Sequence, residues 1–274
     1  GRLADIYVND AFGTSHRTHA SIVRIAEYLP SVAGLLLEKE LETLGSLLKE
    51  PAHPFGGLFG GAKVSDKVGM LENIMNKVDF LLIGGGMAAT FLKAKSYEVG
   101  QSLVELDSLD TAASLMENAS RNGVNLLLPV DVLVADSISV EAKGSIVPVN
   151  KILPNQRIVD IGRQTTKLFY EALRKCQTIF WNGPMGICEI PQFAEGTQVM
   201  AKLLASLEAT TIIGGGSTAE VVSKMGLDDK VSFISTGGGA SLSYLGGKTL
   251  PGVEALLNKD SSVTRKLKEL IPPK

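Results

Sequence analysis

Val231-Ser232-Phe233-Ile234-Ser235-Thr236-Gly237-Gly238-Gly239-Ala240-Ser241-Leu242 is the stretch whose reading decides the fold. An apolar run of strand type stops at Ser235-Thr236, three glycines follow, and Ala240-Ser241-Leu242 opens a helical pattern. Glycine adopts positive φ readily and leaves no Cβ to block a ligand. A helix start aims unpaired N–H groups and a partial positive charge at the same spot, which suits an anion. The device recurs. Phe59-Gly60-Gly61-Ala62-Lys63, Ile83-Gly84-Gly85-Gly86-Met87 and Ile213-Gly214-Gly215-Gly216-Ser217 also end apolar runs and precede helical patterns. Four such joints predict ligand binding along the carboxyl edge of a parallel sheet.

Strand candidates lie at 57–59, 78–83, 124–128, 178–181, 210–213 and 231–235, as continuous apolar runs of the kind expected for strands covered on both faces. Amphipathic helices separate most of them. Their apolar positions are Val68, Leu71, Met75 and Val78; Leu109, Ala112, Met116 and Ala119; Leu168, Phe169, Ala172 and Leu173; and Val199, Leu203 and Leu207. The alternation predicts an α/β fold with a doubly wound, Rossmann-like parallel sheet. Residues 137–158 break the rhythm and read as a small antiparallel excursion around Lys143-Gly144. From Val32 to Glu50 the pattern is helical, with Leu37, Leu41, Leu44 and Leu48 forming one stripe that Pro51 and Pro54 end. The expected organisation is a remnant of a second α/β domain at 1–32, a connector helix at 33–50, a nucleotide-binding domain at 51–256 and a polar tail at 257–274, read as a surface helix or the start of a linker.

The 274 residues are 45% hydrophobic and 20% charged with a formal net charge of −2, which gives no reason to expect nucleic acid or an anionic membrane as partner. No apolar run approaches the ~18 residues of a membrane span. The start, Gly-Arg-Leu-Ala-Asp, lacks Met and a signal-peptide layout and reads as the middle of a domain. Cys176 and Cys188 form no C-x-x-C pair, which favours a reducing, cytoplasmic setting and small apolar roles for both thiols. Three histidines, His16, His19 and His53, make a Ser-His-Asp hydrolase or a zinc site a poor fit. The loop Ser15-His16-Arg17-Thr18-His19 reads equally as a meeting point for an anionic ligand and as a solvated loop.

Gly84-x-Gly86-x-x-Ala89 and Gly214-x-Gly216-x-x-Ala219 match one form of the dinucleotide fingerprint, but neither has an acid at the end of the next strand to hold a ribose. Gly247-Lys248-Thr249 ends like a Walker A loop, yet Leu242 stands where its first glycine is required. Lys63 and Lys67, one turn apart around Ser65-Asp66 and preceded by Gly60-Gly61, are better placed for a polyphosphate.

At these residues the chain resembles the phosphoglycerate kinases. The shared motifs, in order, are Val8-Asn9-Asp10-Ala11-Phe12-Gly13-Thr14, Gly60-Gly61-Ala62-Lys63-Val64-Ser65-Asp66-Lys67, Ile83-Gly84-Gly85-Gly86-Met87-Ala88, Leu128-Pro129-Val130-Asp131, Trp181-Asn182-Gly183-Pro184-Met185-Gly186, Ser235-Thr236-Gly237-Gly238-Gly239-Ala240-Ser241-Leu242 and Leu250-Pro251-Gly252-Val253. The resemblance covers roughly residues 3–256. It implies reversible phosphoryl transfer between 1,3-bisphosphoglycerate and ADP, giving 3-phosphoglycerate and ATP with Mg2+, by a monomeric cytoplasmic enzyme of glycolysis or carbon fixation. By matching motif, Lys63 would stabilise the transferring group, Gly237, Gly238 and Gly239 would cap it, and Lys67 would hold nucleotide phosphates beside Ala62. Gly85 and Gly86 would line the adenine pocket with Gly162 nearby. Asn182 and Gly183 would reach phosphate and Glu189 the ribose, while Gly214, Gly215, Gly216, Ser217 and Thr218 complete the nucleotide site. Arg17 would bind phosphoglycerate.

Four departures qualify this. Most of the family's N-terminal domain, with its basic acyl-phosphate site, has no counterpart in the sequence, so the fragment alone is expected to be inactive. Ser217 stands where a magnesium-binding Asp is usual; its hydroxyl can ligate the ion but brings no charge, so the nucleotide's own phosphates would mainly hold it, and in the blander reading Asp160 or Asp131 reaches the ion with Ser217 reduced to a helix N-cap. Arg163 replaces a proline, and Cys188 replaces a bulky apolar residue beside Glu189. The alternative function is an adenine-nucleotide-binding module without transfer activity.

Overall fold

The computed structural model describes residues 1–257, and the predicted tail at 258–274 lies outside the described residues. Contacts divide the chain into two compact units, one of which, Ala52–Ile234, is inserted into the other.

The outer unit opens with β1 (Tyr7–Asn9), which pairs in parallel with β2 (Ser31–Ala33) in the register Tyr7 to Ser31 and Asn9 to Ala33. The helical pattern expected from Val32 therefore starts later. Val32 is β-branched and pairs with Val8, Gly34 is extended, and α1 runs over Leu35–Lys49. Asp10 accepts a hydrogen bond from the Leu37 amide at 2.9 Å and so satisfies one of the four free N–H groups of the first turn. The predicted stripe Leu37, Leu41, Leu44 and Leu48 is buried, and Glu40, fully buried, shares its face.

The inserted unit is a six-stranded parallel sheet. Its elements run β3 (Phe55–Phe59), α2 (Val68–Ile74), β4 (Phe80–Ile83), α3 (Met87–Ala94), α4 (Leu109–Arg121) and β5 (Asn125–Leu127). After an excursion come α5 (Arg163–Leu173), β9 (Thr178–Asn182), α6 (Glu195–Ala205), β10 (Thr210–Gly214), α7 (Gly216–Lys224) and β11 (Phe233–Ile234). The order across the sheet is β11-β10-β9-β3-β4-β5, so all six strand candidates join one sheet. The core holds Leu58, Trp181 and Ile213 from neighbouring strands against Phe169, Met200 and Leu204 from the helices. On α6 the buried positions are Thr197, Met200, Ala201 and Leu204, one step round from the predicted stripe of Val199, Leu203 and Leu207. Thr197 turns inward because its hydroxyl accepts the Met185 amide at 2.9 Å.

The excursion is a three-stranded antiparallel sheet: β6 (Asp131–Ala135) lies between β7 (Ser145–Pro148) and β8 (Arg157–Ile161). Val132 and Val134 pack with Leu92, Val99 and Ile152 on one face, and Ala135 packs with Val159, Ile190 and Phe193 on the other. Back in the outer unit, α8 (Gly239–Leu245) and α9 (Pro251–Leu257) follow. Residues 235–257 thus group with the chain's first 51 residues, and the expected domain at 51–256 runs across this division.

Candidate functional site

The strand order of the inserted unit reverses between β3 and β9. From β3 the chain steps outward through β4 to β5, then returns to the other side and steps through β9 and β10 to β11. Such a switch point opens a crevice at the carboxyl ends of the two central strands. The residues there are Phe59-Gly60-Gly61 at the end of β3 and Asn182-Gly183 at the end of β9.

Backbone bonds lace the surrounding loops together. Gly60 donates to the Asn182 carbonyl at 3.0 Å, Gly61 to Pro184 at 2.8 Å, Gly85 to Met185 at 3.2 Å, and Met87 to Gly61 at 2.9 Å. Gly85 has φ +64°, and a Cβ there would stand 2.5 Å from the Gly61 nitrogen, so only glycine fits. The Gly183 amide donates to the Thr218 hydroxyl at 2.9 Å, which ties the first turn of α7 to this rim. Gly86 starts α3, and Gly214, Gly215 and Gly216 lead into α7.

Two polar groups at the rim have no partner among the described residues. Asn182 is 3% exposed, and its Nδ2, buried beside Gly214 and Gly215, makes no hydrogen bond. Lys67 is 7% exposed, its ammonium lies beside Gly61, and it makes no hydrogen bond or close ion pair. Burial pulls the Lys67 ammonium below the ordinary lysine range, with Asp66 and Glu105 opposing the shift. Buried polar groups are normally satisfied, so a lone donor and a lone cation on one rim mark a place for an anion.

The loop between Lys63 and Lys67 is held by a residue that sequence reasoning missed. The Glu105 carboxylate accepts the Val64 amide at 2.5 Å, the Ser65 amide at 3.1 Å and the Ser65 hydroxyl at 2.5 Å. Burial raises its pKa, but these bonds and the nearby Lys63 hold it below the usual carboxylate range. Ala62 and Lys63 themselves are exposed.

The remaining predicted positions differ in setting. Gly162 is buried, donates to the Asp131 carbonyl, and lies so close to the Asp131 carboxylate that a side chain would collide with it. Glu189 and Ser217 are exposed. The N-cap of α7 is Gly215, with Ser217 inside the first turn, so the capping role considered for Ser217 does not occur. In the outer unit, Arg17 is exposed while Phe12 and Ser15 of its loop are fully buried. The triple glycine begins at Gly237, whose backbone lies against the Phe12 ring and whose carbonyl accepts the Ser241 hydroxyl. Gly238 and Gly239 start α8, with His16 beside Gly239.

Neither carboxylate considered for metal is free to bind one. Asp131 caps α5, accepting the Gln164 and Thr165 amides at 3.0 and 2.7 Å. Asp160 accepts the Gly196 amide at 2.7 Å and the Ile161 amide at 2.8 Å. No cluster of three His, Cys, Asp or Glu suited to a metal occurs among the described residues. Burial pushes the Cys176 thiol up to about 12 and raises Cys188 as well, so neither is poised as a thiolate.

Burial also raises Asp160 to about 7, against the Gly196 and Ile161 amides that stabilise its anion. The folded state then binds this proton more tightly than the unfolded chain, and stability falls as pH climbs from about 4 through about 7. Asp160→Asn is expected to flatten that decline in urea titrations from pH 4.5 to 8. Its net gain at pH 8 should be about 1 kcal/mol, since asparagine offers one acceptor oxygen to two amides.

The sequence profile described as phosphoglycerate kinase matches residues 1–248. The chain belongs to the phosphoglycerate kinase family. It is 52% identical over 255 residues to the phosphoglycerate kinase of Roseiflexus castenholzii, covering 93% of this chain and 65% of that one. It is 54% identical over 257 residues to that of Pelotomaculum thermopropionicum, covering 94% and 65%. The structure of phosphoglycerate kinase from Coxiella burnetii matches with a TM-score of 0.85 at 43% identity, over 93% of this chain and 66% of that one. That from Pyrococcus horikoshii matches with 0.84 at 32% identity, over 98% and 66%. The chain thus spans about 65% of the length of the curated phosphoglycerate kinases it resembles. Among its described residues no helix is long and apolar enough to cross a membrane.

Proposed function

We propose that this chain is the nucleotide-binding part of a phosphoglycerate kinase, an enzyme that moves a phosphoryl group reversibly between 1,3-bisphosphoglycerate and ADP. The observation that carries the reading is a pair of groups at the switch point of the sheet: the buried Asn182 amide nitrogen without a partner, and the Lys67 ammonium, which makes no hydrogen bond among the described residues. A nucleotide's phosphates supply the negative charge both lack. Phosphoryl transfer depends on positioning and positive charge more than on covalent chemistry. In this reading Lys67 and Asn182 hold ADP, Gly85 and Gly86 admit the adenine, and Glu189 accepts ribose hydroxyls. Lys63 of the inserted unit stabilises the group in transit, and the Gly237-Gly238-Gly239 loop and Arg17 of the outer unit keep the capping and phosphoglycerate-binding roles that the family resemblance implies.

By itself the chain binds ADP without turning over phosphoglycerate, because one guanidinium cannot orient a multiply charged substrate. This second reading is favoured by the chain's span of 65% of its relatives' length. Calorimetry with ADP and a coupled assay with 3-phosphoglycerate and ATP test both. Micromolar ADP binding with no turnover is the expected result. Absence of ADP binding removes the nucleotide assignment, and turnover near the usual ~1–100 s⁻¹ of kinases removes the claim of inactivity.

Magnesium prefers carboxylate and phosphate oxygens, and no cluster of three His, Cys, Asp or Glu suited to it occurs among the described residues. Asp131 and Asp160 are occupied by amides, and Glu220, on α7, pairs with Lys224 at 2.5 Å. The ion does not fit a cage built from the described residues alone. ADP affinity is accordingly expected to change less than about threefold, roughly 0.7 kcal/mol, when Mg2+ is withdrawn. Ser217→Asp should introduce a clear dependence. Titrations of both proteins with and without Mg2+ decide this, and a strong dependence in the unmodified chain that the substitution leaves unaltered rules the idea out.

A further inference from the structure

Away from the switch point, a cavity of about 390 Å³ lies between α5 and α6. Its volume falls within the range of small-molecule pockets, roughly 300–1,000 Å³. Leu133 and Ile146 from the antiparallel excursion and Val199 and Leu203 from α6 give it apolar walls. Val199 and Leu203 are half-buried at the edge of the face that α6 turns inward, which leaves them lining it.

The polar groups are gathered on α5. Arg163, Lys167 and Tyr170 stand at i, i+4 and i+7, on one helical face, and all three line the cavity. Lys167 and the Tyr170 hydroxyl make no hydrogen bond among the described residues. The Arg163 guanidinium is 3.8 Å from Glu195, too far for a hydrogen bond, and both side chains are largely exposed. Asp160 at the base is 2% exposed, and each of its oxygens already accepts an amide, so it presents no bare acceptor. Two cations and a phenol therefore face an apolar slot across from one weakly paired acid.

We propose that this groove is a binding site for a small apolar monocarboxylate, whose body packs between Val199, Leu203 and Ile146 and whose carboxylate meets Lys167 and Arg163. Apolar burial supplies the affinity, and the cations set the sign of the charge accepted. Gly162, which the resemblance puts near the adenine, also lines this cavity, so binding in the presence of ADP is the arm of the test that distinguishes the two sites.

Octanoate is the probe, and octylamine, of similar length and opposite charge, is the control. In calorimetry on the whole chain saturated with ADP, octanoate should bind at least tenfold more tightly than octylamine. Lys167→Glu should lower octanoate affinity at least tenfold, and Val199→Arg, which fills the slot, should abolish it. Both positions are on the protein surface, and unchanged ADP binding by each variant reports that it is folded. No octanoate binding at millimolar concentration, equal binding of octylamine, or loss of octanoate binding on adding ADP each overturns the proposal.

Discussion

Replacing Lys67 with methionine should weaken ADP binding by about 3 kcal/mol, more than a hundredfold, and at the same time make the free protein more stable. The two effects have one cause. An ammonium on a largely buried side chain has lost much of its water, and only the charges of Asp66 and Glu105 offset this until an anion arrives. The depression of its pKa by burial expresses the same cost. Methionine keeps the length and the apolar contacts of the stem, so the charge alone is removed. A rise in urea midpoint equivalent to about 1 kcal/mol is expected beside the loss of affinity. Loss of both stability and binding would make Lys67 a structural residue, and unchanged binding would remove it from the phosphate site.

Glu40 should show the second large effect, on stability this time. It is fully buried on α1, and its Oε1 accepts the Thr236 amide at 2.6 Å and the Thr236 hydroxyl at 2.7 Å. Its Oε2 is buried without a partner. Glu40→Ala leaves an amide and a hydroxyl unpaired beside a cavity in the leucine stripe, and a loss of about 4 kcal/mol is expected in chemical denaturation. Glu40→Gln keeps one acceptor oxygen for Thr236 and removes a buried charge, so it should cost less than about 1 kcal/mol. Equal losses for the two variants would show that the side chain's volume matters and its hydrogen bonds do not.

The sheet was legible because its strands are continuous apolar runs that stop at glycine, a local signal. The order of those strands was not, since it depends on which runs pair across a hundred residues or more. Helix faces were read only where large apolar residues mark them. Thr197 and Gly196 carry no such mark, so the inward face of α6 was misplaced by one step. At the candidate site, glycines and lysines drew attention by type and spacing. Glu105 did not, and Asp131 did so only as a candidate metal ligand, because their partners Ser65 and Thr165 lie 40 and 34 residues away and only the folded chain joins them. The early start assigned to α1 has the same origin: Val32 fits a helical stripe locally, but its pairing with Val8 decides its conformation.

The outer unit is closed by residues from opposite ends of the described chain. Asn9 donates from its side chain to the Gly252 carbonyl at 3.1 Å, across 243 positions, and the Glu40 bonds to Thr236 span 196. During synthesis on a ribosome, β1, β2 and α1 emerge before the inserted sheet yet wait for Thr236 and Gly252, which follow it, while every strand of the inserted sheet is already available. The sheet can mature first, and β1, β2 and α1 must stay unfinished without aggregating until Gly252 appears. The exposed Val8, Tyr28 and Leu35 of that early stretch make the interval the vulnerable stage in this chain's biogenesis.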